Sequence, residues 1–135
     1  MTGFDILFDQ DITDQRLQDI LSRILRIPIA RMAVINAIEQ YPSKEEADCV
    51  CLTARTNGQF PTRVQIDCDD KIHTMLPADV AISLAKILQC NCLISDDTAD
   101  PYKMLYVSSL GNIKPVMLDI SALDEHGEYN LDLNP

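Results

Sequence analysis

Tryptophan is absent from this 135-residue chain, glycine occurs only four times, and lysine and arginine together number eleven. Each shortage excludes something. Four glycines could hardly build a phosphate-cradling loop, and no P-loop, dinucleotide fingerprint or G-x-S-x-G elbow is present. Eleven bases against twenty-one acids leave a net charge of −10. Such a chain repels nucleic acid phosphates and anionic lipid surfaces, because binding them requires Lys and Arg to displace counterions. No apolar run approaches the roughly 18 uncharged residues of a membrane-spanning helix. The opening MTGFDILFDQD lacks a basic stretch followed by an apolar one, so the expectation is a cytoplasmic protein.

What is present suffices for a fold. With 47% hydrophobic residues the chain is too apolar to be disordered, and its length predicts one domain over 1–135. Five cysteines, at 49, 51, 68, 90 and 92, are too sparse for a secreted disulfide scaffold. The two C-x-C pairs suggest zinc, with His73 as a further ligand. Structural zinc sites, however, draw ligands from tight C-x₂₋₄-C turns, whereas both pairs here lie in strand-like runs. Free reduced thiols are the expectation, and no signature pairs His73 with a nucleophilic thiol.

Phe4, Ile6 and Phe8 alternate as one face of a first strand. Leu17, Ile20, Leu21, Ile24 and Leu25 then form one helical stripe, with Thr13 as N-cap and Pro28 as the stop. Residues 29–40 fit a helix or a buried strand, and strand is preferred, with a polar loop over 41–46. Asn57-Gly58 predicts a two-residue hairpin turn in which Cys51 opposes Val64 and Cys49 opposes Ile66, all facing the core. Pro77 opens a broadly apolar helix. Cys92–Ile94, Met104–Val107 and Ile113–Leu118 read as strands, the last two flanking Gly111-Asn112, and Pro115 assigns its strand to an edge or a bulge. Ser121–Asp124 suggests a single turn, and 129–135 a loose tail. The order β-α-β-β-β-α-β-β-β predicts an α+β two-layer sandwich: a mostly antiparallel or mixed sheet with two main helices on one face.

Two acid clusters stand out, Asp67/Asp69/Asp70 and Asp96/Asp97/Asp100. Their carboxylates could coordinate Mg²⁺ or Ca²⁺, although neither has EF-hand spacing. They could be solvated turn residues, or a surface that meets Lys and Arg of a partner. Tyr102 is the nearest aromatic anchor, and Asp124 and Glu125 are possible additions. The reading carries no catalytic residue, cofactor or metal.

The pattern over 91–132 joins Ile94-Ser95-Asp96-Asp97, Asp100-Pro101-Tyr102, Gly111-Asn112, Leu118-Asp119 and Leu123-Asp124-Glu125. With Ile38-Glu39-x-Tyr41-Pro42 and Gly58-Gln59-Phe60-Pro61 before it, the chain resembles the small acidic immunity proteins encoded beside bacterial polymorphic toxins, including those of contact-dependent growth inhibition. That resemblance implies a non-enzymatic inhibitor that occludes the basic catalytic domain of a cognate toxin in the cytoplasm. A small acidic adaptor or secretion chaperone is the alternative, distinguished by the partner.

Overall fold

The computed structural model describes residues 2–43, 45–69 and 75–133. It is a mixed α+β fold whose seven strands form one open sheet. In chain order these are β1 (Thr2–Phe8), α1 (Asp14–Leu25), β2 (Met32–Ile35), β3 (Cys49–Arg55), β4 (Thr62–Cys68), α2 (Pro77–Leu88), β5 (Cys92–Ser95), β6 (Lys103–Val107), β7 (Ile113–Met117) and α3 (Ile120–His126). The sheet runs β2-β3-β4-β1-β5-β6-β7, antiparallel throughout except for the parallel β2/β3 pair. The predicted order holds, with a third helix added at its end.

Alternation along the strands places the core. Ile6 and Phe8 of β1, Val64 and Ile66 of β4, Cys49 and Cys51 of β3 and Cys92 and Ile94 of β5 all face one side. There they meet Leu17, Ile20, Leu21 and Leu25 of α1 and Val80, Ala81, Leu84 and Ala85 of α2. The hydroxyl of Thr13 accepts the N–H of Arg16 at 3.2 Å, as an N-cap should, and Pro77 occupies the first turn of α2. Residues 29–40 hold the strand β2 between two short 3₁₀ turns, 29–31 and 38–40. The Arg31 guanidinium donates to the Asp48 carboxylate at 2.8 Å and ties the entry of β2 to the start of β3.

The opposite face carries a smaller core of Leu7, Phe60, Leu93, Met104 and Leu118. Leu123 of α3 and the tail residues Tyr129 and Leu131 pack on it. The tail expectation is therefore corrected for its described part. Asp119 N–H bonds Asn130 O, Asp132 N–H bonds Met117 O, and Leu118 bridges Leu131. Instead of a single turn, α3 spans seven residues, capped by the Asp119 carboxylate, which accepts the N–H of Ala122.

The first hairpin is also corrected. Its register pairs Cys49 with Cys68 and Cys51 with Ile66, two residues from the expected pairing, and β3 and β4 join through a four-residue loop, 57–60. Phe60 explains the shift. It is 2% exposed and sits in the second core, edge-on to Tyr106, so it serves the loop rather than the ladder. A shift of two preserves the strand faces, so the cysteines still point into the main core. Pro115 lies on β7, an edge strand as expected. The bonds Ser108 N–H to Asn112 O and Leu118 N–H to Tyr102 O fix the alternation, which puts position 115 in a non-hydrogen-bonded pair with Leu105. The N–H that proline lacks would have pointed outward.

Candidate functional site

The acids converge where β1 begins and β4 and β5 end. Because Ile6 and Phe8 enter the main core, Gly3 and Asp5 must face the other side of the sheet. Pairing then sets Asp67 opposite Gly3 and Gln65 opposite Asp5. Gly3 matters here for its missing side chain: a Cβ at that position would lie 2.0 Å from the Asp67 carboxylate. The carboxylate therefore lies across β1. Asp67, Asp5 and Asp97 line one cleft of about 400 Å³ with Gln65 and Ser95, and among the described residues that lining holds no basic side chain. An adjoining cleft of about 270 Å³ shares Asp5 and Ser95 and adds Asp100 and Lys103.

Each wall has its own support. Asp5 is bound by Arg63 from β4 at 2.8 Å. The Tyr41 hydroxyl approaches the Asp67 carboxylate at 3.4 Å, and partial burial followed by that negative charge pushes the phenol above its ordinary value. Asp97 holds a left-handed backbone with φ of 60°, and its N–H bonds the Ser95 hydroxyl at 3.1 Å. Asp96 turns inward instead. One of its oxygens accepts both the N–H and the hydroxyl of Thr98, at 3.1 and 2.8 Å, and shapes the loop. Burial opposes its ionisation, yet those bonds and the charge of Lys103 hold its carboxyl below the usual range.

The remaining expected residues are placed as follows. Asp100 accepts the N–H of Tyr102 at 2.9 Å, and the Tyr102 hydroxyl donates to Asp124, 2.9 Å from each oxygen. This chain of contacts joins the second acid cluster to α3. Asp69 lies one step past β4, its N–H bonded to Asp48 O, and does not line the cleft. Glu125 is largely exposed, with its carboxylate 4.0 Å from His126. Asp70 and His73 lie outside the described residues. Asp5, Gln65, Ser95 and Tyr41 were not anticipated. The alternation of β1 gave the one available signal, since it turns Asp5 away from the main core.

The Tyr102–Asp124 contact carries a pH signature. Its hydrogen bond, then burial, then the negative charges of Asp124 and Asp100 push the Tyr102 phenol above its ordinary value of 10.0. A group raised on folding adds stability that is complete below the unfolded value and is lost as pH rises through the folded one. Ultraviolet titration of the phenols is expected to show one tyrosine step moving down in Asp124→Asn. An unchanged titration curve would contradict the contact.

Among the described residues, no three histidine, cysteine or acidic side chains are gathered closely enough to hold a metal ion. No described helix is long and apolar enough to cross a membrane. Comparison with family models, curated proteins and solved structures finds no match. The class these features define is an acidic, open-sheet α+β protein with a carboxylate-lined cleft at one end of its sheet.

Proposed function

We propose that this chain is a non-catalytic inhibitor of the immunity type, which binds the basic catalytic domain of a nuclease-type toxin and occludes it. One observation carries the reading. Asp5, Asp67 and Asp97 come from three separate segments and meet in one cleft, on a chain of net charge −10. Asp67, bonded by the Tyr41 hydroxyl, and Asp97, set by its left-handed backbone, offer carboxylates to an arginine or lysine beside an Asp5 already paired with Arg63, and the surrounding negative potential steers a basic partner to them. A nuclease must present such bases to bind phosphates, and the same bases are what an acidic inhibitor can cover. No bond need be made or broken.

The test is co-expression with the product of the neighbouring gene, scoring survival and co-purification together. Rescue of growth with a salt-sensitive complex is the expected result. Death of the cells despite soluble expression of both chains, with no complex recovered, would reject the reading.

A further inference from the structure

Cys49 and Cys68 belong to the main core, and nothing in the acidic cleft uses them. They are the first residue of β3 and the last of β4, directly opposite each other. The hydrogen bonds Thr56 N–H to Pro61 O and Asp69 N–H to Asp48 O fix the alternation along this ladder. They make Cys49/Cys68 a non-hydrogen-bonded pair, the class in which facing Cα atoms approach to about 4.5 Å. A disulfide needs Cα atoms about 4.4–6.8 Å apart and side chains on one face, and this register supplies both. The sulfurs stand 3.0 Å apart.

No other cysteine pair faces across a strand ladder, although Cys90 and Cys92, two residues apart in sequence, also share a side-chain hydrogen bond. Cys51 faces Ile66, while Cys92 faces Phe8 on one side and Val107 on the other. Cys49 and Cys51 lie two residues apart on one extended strand, at the far limit of a disulfide's reach.

We propose that Cys49 and Cys68 are a modification site: under a peroxide they form an intramolecular cross-strand disulfide that staples the open end of the β3/β4 hairpin. In the first step one thiolate sulfur attacks a peroxide oxygen, giving a sulfenic acid and releasing water once the leaving oxygen is protonated. The second sulfur then displaces the sulfenic hydroxyl, which leaves as a second water. Two thiols are oxidised, one hydrogen peroxide is reduced, and the atoms balance. Both thiols are buried, at 0% and 1% exposure. The bond to Cys51, which outweighs the opposing bond from Cys68, and burial favour the protonated form of Cys49, while the bond to Cys49 and burial favour that of Cys68. Oxidation is therefore slow in the closed fold and faster when the strand ends part. The inference is independent of the acidic cleft's partner.

The experiment treats the native full chain with hydrogen peroxide, alkylates it under denaturing conditions and maps the peptides by mass. Alkylatable thiols should fall from the five in the sequence to three. The loss of two hydrogens should lie in a peptide pair linking 49 to 68, with no disulfide between chains. Closing a loop of about twenty residues should raise Tm by roughly 5–10 °C, reversed by dithiothreitol. A bridge mapped elsewhere, an intermolecular bridge, higher sulfur oxides without a bridge, or five surviving thiols would each overturn it. The wild-type map decides the matter without relying on a variant that must fold; Cys68→Ala, where folded, should lose no thiol pair.

Discussion

Phe8→Ala is expected to lower stability by about 3–5 kcal/mol and Tm by roughly 10–15 °C in thermal or urea denaturation. Phe8 is wholly buried on β1, the strand at the centre of the sheet. It stands between Thr62 of β4 and Cys92 of β5, under the helices α1 and α2. Removing the ring forfeits its transfer free energy and leaves a cavity whose walls are hydrogen-bonded strands on both sides, which relax little. Phe8→Leu refills most of that volume and should cost less than half as much. Phe4, four residues earlier on the same face, is only partly buried and should cost less when truncated. A fall of under about 3 °C for Phe8→Ala would contradict the placement of the core.

The second large effect concerns recognition rather than folding. The triple variant Asp67→Asn, Asp97→Asn, Asp100→Asn is expected to slow association with a basic partner at least tenfold while Tm moves by no more than about 3 °C. Asparagine suits these positions because it removes charge while keeping an acceptor oxygen for the Tyr41 hydroxyl and the Tyr102 N–H. It also tolerates the left-handed backbone at position 97. Net charge changes only from −10 to −7, so most of the general attraction to a basic partner persists and a large effect points to the cleft. Residual association should also depend less on ionic strength, since part of the attraction that salt screens is gone. Stopped-flow association at two salt concentrations separates these outcomes. Wild-type rates in the folded triple variant would remove the cleft from the interface.

The parts of the fold that were legible in the sequence are those set by neighbours in the chain. The stripe and cap of α1, the proline at the start of α2 and the edge position of Pro115 each follow from backbone chemistry or period within a few residues. The hairpin register was not legible, because it depends on Phe60 joining a core built from Leu7, Leu93, Met104 and Leu118. Gln59 reinforces that loop through bonds to Asn130 and Leu131, more than seventy positions away. The tail looked loose for the same reason: its polar residues are held by partners that only the folded sheet supplies. Of the site, the clusters at 67–70 and 96–100 were visible as runs of acid. Their meeting was not, since it requires β4, β1 and β5 to lie side by side, and Asp5 gains its place only through that order.

Pro115 has a consequence for how this molecule can meet others. The outward rim of β7 lacks a donor at its middle residue, and the carbonyl of Met117 is already taken by Asp132. An incoming extended peptide would find a broken ladder there, so this edge of the sheet resists growth by strand addition and the amyloid-like stacking that begins from open rims. At this edge recognition is thereby directed to side chains, where charge and shape choose the partner, instead of to main-chain zippering, which accepts almost any sequence.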